Sequence, residues 1–157
     1  MHKDNSFLLQ IVQPGLAGLM DGSVSTLAPI FSAALLTHVS IIAFRIGVAT
    51  AVGAGISMAF SEALSDDGKL TGRGNPLLRG LVIGAMTFCG GVFHTLPFLV
   101  GNVGLALAIA LGVVGCELVI IAAIRHRYFK TPLWLSVLQV VGGGILVLVA
   151  GWLFGSA

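Results

Sequence analysis

Five residues that can bind a cation or a proton stand within strongly apolar stretches of this sequence. They are Asp21, Met58, Glu62, His94 and Glu117. A charged side chain near the centre of a bilayer costs at least about 2.5–3.5 kcal/mol, so one that is retained there needs a partner, a proton or an ion. Carboxylates beside a thioether suit borderline metals such as Fe²⁺ or Mn²⁺ better than Mg²⁺ or Ca²⁺, which take oxygen ligands. The residue types therefore predict a site for divalent metal ions, for protons, or for both.

Asp21 is the hardest of the five to explain as a purely structural residue. No Lys or Arg shares its apolar segment, which is built like a membrane span. Small residues around it would let an ion or another backbone approach closely. They are Gly15, Gly18, Gly22, Ser25 and Ser32.

The composition indicates an integral membrane protein. The chain of 157 residues is 57% hydrophobic and only 9% charged, and its mean hydropathy is +1.05, which is too apolar for a soluble domain of this size. A net charge of +2 without a basic cluster argues against nucleic-acid binding. Cys89 and Cys116 lack the Cys-x-x-Cys spacing and are expected to be packed thiols.

Five apolar stretches are each close to the roughly 20 residues that cross about 30 Å of hydrocarbon, and they predict an all-α polytopic fold. They cover residues 14–37, 44–65, 77–99, 102–124 and 133–155. Residues 1–13 are expected to be a cytoplasmic, interfacial lead-in to a transmembrane domain at 14–157. Every Lys and Arg except Arg45 falls on one predicted side, so the N-terminus is expected in the cytoplasm and the C-terminus outside.

Counting along the predicted spans places three site residues at one depth. Asp21, Met58 and Glu117 each lie about seven residues from the cytoplasmic end of a span, which corresponds to roughly 10 Å. Glu62 lies one turn from Met58, nearer the cytoplasm. Ordinary roles stay open: a buried acid can be protonated and hold helices together, and an arginine at a helix end can reach either glutamate.

His94 lies in an interrupted part of the third span. Pro97 leaves the carbonyl of Phe93 without its helical donor, and broken helices often line the substrate path of transporters. A histidine there can relay protons near neutral pH. A hydrogen-bonded structural histidine fits the same pattern.

Small residues recur at four-residue spacing on several predicted helices. Such faces predict close helix packing or dimerisation, and without a preceding strand they do not indicate phosphate binding. The faces are Gly18/Gly22, Gly47/Ala51/Gly55, Gly151/Gly155 and the run Gly142–Gly144. Because five helices are thin cover for a polar path, we expect a homodimer.

Two motifs resemble those of a known family. Asp21-Gly-Ser-Val-Ser-Thr in the first span and Ser57-Met-Ala-Phe-Ser-Glu62 at the end of the second are similar to the paired signatures of the vacuolar iron transporter family. The strings at 12–29, 65–74 and 94–97 resemble its bacterial branch, the membrane-bound ferritin or erythrin–vacuolar iron transport proteins. The resemblance spans essentially the whole chain.

The resemblance implies a five-helix secondary transporter, not an enzyme, in a bacterial inner membrane. It implies a parallel dimer that exports Fe²⁺ from the cytosol in exchange for protons, with no permanently bound cofactor. Asp21 and Met58 match the ion-binding residues of the family, and Glu62 matches the acid that closes the second motif. Bacterial members carry a ferritin-like domain ahead of the first span, so a ferritin-like partner is implied here, from another chain or a removed domain.

Three functional hypotheses stay open. A proton-coupled exporter of divalent metal is the leading one. A carrier or channel for another solute, with the acids as proton sites, and a membrane scaffold that docks a ferritin-like partner are the alternatives. Metal binding separates the first from the second, and flux separates both from the third. The ligand types do not rank Fe²⁺ against Mn²⁺, Co²⁺ or Zn²⁺.

Overall fold

Five helices form the part of the chain that the computed structural model describes, residues 6–65 and 67–156 without the side chain of Val140. Each helix is long and apolar enough to cross a membrane. In chain order they are α1 (Gln13–Thr37), α2 (Ser40–Ser65), α3 (Pro76–Phe93), α4 (Val103–Phe129) and α5 (Leu133–Gly155). The predicted all-α fold with five spans is confirmed.

The first span begins earlier than the sequence predicts. A π-helical stretch, Leu8–Val12, continues into α1 because Gln13 keeps helical dihedrals (φ −64°, ψ −54°). The side-chain oxygen of Gln10 accepts a hydrogen bond from the backbone N–H of Asn75 (2.9 Å) and so holds this start against the loop before α3. Residues 8–13 therefore continue into α1 without a break, and their interfacial position stays a prediction. Residues 1–5 of that predicted segment lie outside the described residues.

The helix boundaries follow local chemistry. His38 ends α1 with left-handed dihedrals (φ 53°, ψ 24°), which permits a two-residue link to α2. Asn75 caps α3, and its side chain accepts two backbone N–H groups of the first turn, the shorter at 2.9 Å. Thr131 does not cap α5: its hydroxyl instead lies 3.0 Å from Ser136 Oγ.

The third predicted span is divided. α3 ends at Phe93 and a short 3₁₀-helix follows at Leu96–Leu99. Pro97 explains the break, because proline cannot donate a backbone hydrogen bond and disfavours the α conformation of the residue before it. The break leaves His94 fully buried at the end of α3.

The helices α1, α3 and α5 begin at one end of the bundle, where α2 and α4 terminate. Gly18 and Gly22 of α1 pack in parallel against the backbone of α3: a Cβ built on either would overlap the carbonyl oxygen of Ile83 or of Thr87. We call this end the basic end. It carries Lys69, Arg73, Arg79, Arg125, Arg127 and Lys130, whereas Arg45 lies at the opposite end.

Two further glycine faces bring helices into backbone contact. A Cβ on Gly55 of α2 would lie 2.9 Å from the carbonyl oxygen of Gly84 in α3, and one on Gly155 of α5 would lie 2.8 Å from Ser32 Cα in α1. The predicted close packing is confirmed for these faces. In the run Gly142–Gly144 a Cβ on either of the first two residues would meet nothing within 4 Å, so these two make no close helix contact within one copy, and the alternative of dimerisation stays a prediction for this face.

Candidate ion-binding site

Asp21 lies half-buried on α1 without a partner. Its carboxylate forms no hydrogen bond or ion pair with any residue of 6–65 or 67–156. One turn further, the Ser25 hydroxyl is buried and likewise has no hydrogen-bond partner in that part of the chain. Because residues i and i+4 share a helix face, Asp21 and Ser25 form a stripe of unpaired polar groups along α1.

The Asp21 stripe adjoins an open part of α5. Asp21 and Ala28 share a face of α1, being seven residues apart, and a Cβ on Gly151 of α5 would lie 3.1 Å from Ala28 Cα. The register of that parallel contact places Gly144 at the height of Asp21. A Cβ built on Gly144 would meet no atom of α1 within 4 Å, only Leu118 Cδ1 of α4 at 3.5 Å. The two helices are therefore less closely packed at the height of Asp21 than at Gly151.

Met58 is half-buried on α2 near the same height. Its neighbour Ala59 lies against Gly84, where a Cβ on the glycine would be 2.7 Å from Ala59 Cβ. Ile83, the residue before Gly84 on α3, is the residue that Gly18 of α1 packs against. Counting residues along these contacts places Met58 within about one helical turn of Asp21 along the bundle axis, about 5 Å or less.

Glu62 is held by arginines at the basic end. Its Oε1 accepts from Arg79 Nε (2.7 Å) and from Arg73 Nη2 (2.8 Å). The Arg79 side chain is fully buried and also donates to the carbonyl oxygen of Gly74 (3.3 Å). One ordinary role, a helix-end arginine reaching a glutamate, is therefore observed here. A metal role for Glu62 stays a prediction, and a metal would have to compete with two guanidinium groups for this oxygen.

Replacing Arg79 by alanine should destabilise the protein more than replacing Arg73. Removing one partner of a buried ion pair costs about 3–5 kcal/mol, whereas more exposed pairs contribute about 0–1 kcal/mol. The Arg73 side chain is 28% exposed and that of Arg79 is 0% exposed. Thermal unfolding in detergent should show the larger drop in midpoint for Arg79→Ala, with Arg79→Lys intermediate. Equal drops would contradict this ranking.

His94 and Glu117 form a buried cluster with Thr26. His94 Nε2 lies 2.6 Å from Thr26 Oγ1, and Nδ1 lies 3.2 Å from Glu117 Oε2. The side chains of His94 and Glu117 are 0% and 7% exposed. The contact joins residues on α1, α4 and the end of α3. Thr26 is the member of this cluster that sequence reasoning missed, since its only signal was its place one turn after Gly22 in the first motif.

Glu117 and Asp21 are directed to different parts of the bundle, and their predicted common depth stays a prediction. The Glu117 carboxylate contacts one ring nitrogen of His94, and the other ring nitrogen contacts Thr26 on α1. Thr26 shares a face of α1 with Gly22 and points to α3, whereas Asp21 lies on the side that packs against α5. The structure therefore brings His94 and Glu117 together, but separately from Asp21.

The arginine near the end of α4 contacts a residue of α5 instead of Glu117. Arg125 Nη2 donates to Gln139 Oε1 (2.9 Å), linking α4 to α5. Among the residues described, no group of three or more His, Cys, Asp or Glu side chains is placed to hold a metal ion. Within the described part of a single copy, too few ligand side chains therefore surround Asp21 to complete the coordination shell of a metal ion.

Comparison with known families decides the class of protein. The model of the VIT family, the vacuolar iron transporters, matches residues 63–156. This chain belongs to the VIT family. Membership makes it a membrane protein of a metal-ion transport family and confirms the resemblance carried by its motifs. Neither the curated proteins nor the solved structures gave a match.

The match divides the candidate residues of this VIT-family chain into two groups. His94 and Glu117 fall inside the matched range. Asp21, Met58 and Glu62 precede it, so their assignment depends on the two motifs and on their positions in the structure.

Proposed function

We propose that this VIT-family chain, as a homodimer, exports divalent metal ions, with Fe²⁺ the leading candidate, from the cytosol in exchange for protons. The observation that carries the proposal is the Asp21 carboxylate: it is half-buried in an apolar helix and has no protein partner among the described residues. An unpaired carboxylate in such a place needs a proton or a cation. A transport cycle supplies each in turn.

A second copy would complete the coordination shell. One chain offers Asp21 and, within about one turn along the bundle axis, the thioether of Met58, which is too few ligands for a transition metal. Two copies paired along the α1 face that carries Asp21 would contribute both residues twice. The looser packing of α1 against α5 at this height, where a Cβ on Gly144 would meet no atom of α1, supports such an approach, and close isologous contact is the usual geometry of homodimers.

Proton and metal would compete for the same oxygens. Carboxylates bind metal in their ionised form, so metal binding releases any proton held there. Metal entering from the cytoplasm would displace protons from Asp21, and protons entering from the outside would displace the metal. This exchange needs no nucleotide, consistent with a sequence that contains no phosphate-binding Gly-x-x-x-x-Gly-Lys-Ser/Thr motif.

The direction depends on the orientation in the membrane. We propose that the basic end faces the cytoplasm, since positively charged residues are retained on that side. The chain would then lie in a bacterial inner membrane with its C-terminus outside, and metal would be delivered to the basic end, for example by a ferritin-like partner. The described Lys and Arg residues support this orientation, all of them except Arg45 being at the basic end.

Flux in proteoliposomes tests the proposal. The protein is reconstituted, its orientation is fixed by labelling a cysteine placed at Ser156, and Fe²⁺ is supplied under anaerobic conditions on the side of the basic end. We expect Fe²⁺ movement toward the Ser156 side that accelerates when that side is more acidic, with protons moving the opposite way. Metal binding without flux would favour the scaffold, and flux of protons without metal would favour a carrier for another solute.

A further inference from the structure

The hydrogen bonds around His94 determine how many protons the cluster contains. Thr26 has one hydroxyl hydrogen, and it is donated to the carbonyl oxygen of Gly22 (2.8 Å). The 2.6 Å contact with His94 then requires Nε2–H to donate to Thr26 Oγ1. With Nε2 protonated, the other ring nitrogen, Nδ1, is an acceptor in neutral imidazole.

The contact between His94 and Glu117 therefore needs a further hydrogen. Nδ1 and Oε2 are 3.2 Å apart, and a bare ring nitrogen facing an ionised carboxylate would be two acceptors in contact. A hydrogen bond forms if the proton is on Glu117 or if the ring is doubly protonated. In both cases the pair holds one proton more than neutral imidazole plus carboxylate and has no net charge.

The arrangement without this proton is costly. It requires Thr26 to donate to His94 instead of to Gly22, and a singly protonated ring to donate to an ionised Glu117. That leaves one net negative charge in an apolar interior, which is expensive without a cationic partner. Glu117 Oε1 is buried and has no hydrogen-bond partner among the described residues, so no donor compensates the charge on that oxygen.

No other described group near the cluster supplies a compensating charge. On α1, Asp21 lies on a different side of the helix. On α2, the residues facing the end of α3 are Gly47 and Ala51, and Arg45 is exposed. α3 contributes Cys89 and α4 contributes the exposed Cys116, while α5 has no titratable residue. Within the described chain, His94 is the one ion-pair partner of Glu117.

We infer that His94 and Glu117, oriented by Thr26, form a one-proton binding site inside each copy of the chain, separate from Asp21. The proton resides mainly on Glu117, because the unpartnered Oε1 is then a neutral carbonyl oxygen instead of part of a buried charge. This inference rests on contacts within one chain and does not depend on the proposed metal export.

The site links proton binding to helix position. Both titratable groups are shielded from water while α1, α4 and the end of α3 remain together. Exchange of the proton with solvent requires α4 to separate from the end of α3, which exposes Glu117 and His94. Loss of the proton leaves either two acceptors in contact or a net negative charge in an apolar interior, and both favour that separation. The cluster thus provides a proton site whose occupancy follows the arrangement of three helices.

The test observes both groups by NMR in the full-length protein in lipid nanodiscs. The sequence has four histidines, and replacing His2, His38 and His126 by glutamine leaves His94 as the single ¹⁵N-labelled histidine. Glutamate labelled with ¹³C at Cδ gives two signals, from Glu62 and Glu117. They are assigned with Glu62→Gln or Glu117→Gln, whichever variant folds.

At pH 7 we expect a neutral His94 ring with Nε2 protonated and a protonated Glu117 carboxyl group. A doubly protonated ring beside an ionised Glu117 also supports the inference, because the pair still holds one proton. A neutral ring beside an ionised carboxylate overturns it. None of these outcomes involves metal flux, so failure of this inference is distinguishable from failure of the proposed export.

Two variants of Thr26 test its orienting role. Thr26→Val keeps the shape but removes the acceptor for Nε2–H, whereas Thr26→Ser keeps the hydroxyl. We expect Thr26→Val to lose the single-tautomer signal of His94 and Thr26→Ser to retain it. If both variants leave the His94 spectrum unchanged, Thr26 does not position the ring, and the assignment of the Nε2 hydrogen to the contact with Thr26 is wrong.

Discussion

Asp21→Asn should reduce metal flux to the level of protein-free liposomes. Asparagine preserves the size of the side chain and can accept a hydrogen bond, but it has no charge to neutralise a divalent cation and no proton to exchange. The effect should be complete because no other described carboxylate lies on this side of α1. Anaerobic Fe²⁺ flux into proteoliposomes with an imposed pH gradient measures it.

A matched control separates this effect from a general loss of negative charge. Asp67→Asn makes the same chemical change in the exposed loop between α2 and α3, where Asp67 accepts a hydrogen bond from the Lys69 backbone (2.9 Å). We expect this variant to transport at the wild-type rate. Size-exclusion profiles and thermal midpoints of both variants should match the wild type. Wild-type flux in folded Asp21→Asn would mean that Asp21 is structural and that the proposed mechanism is wrong.

Alanine substitutions at two glycines should change stability in opposite directions. At Gly22 the added Cβ would overlap the carbonyl oxygen of Thr87, so α1 and α3 must move apart. Overpacking of this kind costs about 1–3 kcal/mol. At Gly53 on α2 a Cβ meets nothing within 4 Å, and alanine in a helix interior is favoured over glycine by about 1 kcal/mol.

Thermal unfolding in detergent should therefore lower the midpoint for Gly22→Ala and leave it unchanged or raise it for Gly53→Ala. Gly22→Ala should also reduce flux, since Asp21 is its neighbour and moves with it. If the two variants were equally stable, the backbone contact between α1 and α3 would not be as close as the structure shows.

Much of the fold could be predicted because each signal is local. Span lengths follow from apolar runs, and the Asn75 cap follows from a polar residue before proline. The prediction was weaker at the helix ends that packing determines: α4 continues to Phe129, five residues beyond its predicted end. The turn after α3 was foreseen from Pro97, but its boundary was not.

The residue types of the candidate site could be predicted from the sequence, but the contacts between these residues could be predicted less well. A carboxylate in an apolar span identifies Asp21 from sequence alone. The contact of Thr26 with His94 joins residues 68 positions apart, and it depends on the register of α1 against α3, which glycine packing sets. The ion pair of Glu62 with Arg79 was one of the alternatives that sequence left open, because a long arginine side chain can reach inward from a helix end.

The glycine contacts also indicate which helix is able to slide. In the described part of the chain, α4 alone has no glycine against the backbone of another helix: a Cβ on Gly112 or Gly115 would meet nothing within 4 Å. The other four helices interlock backbone to backbone, and displacing them means separating close-packed main chains. α4 is attached through side chains, which can change rotamer one at a time, so shear motion is cheapest there. We therefore expect α4 to be the moving element of the bundle and the other four to act as its rigid frame.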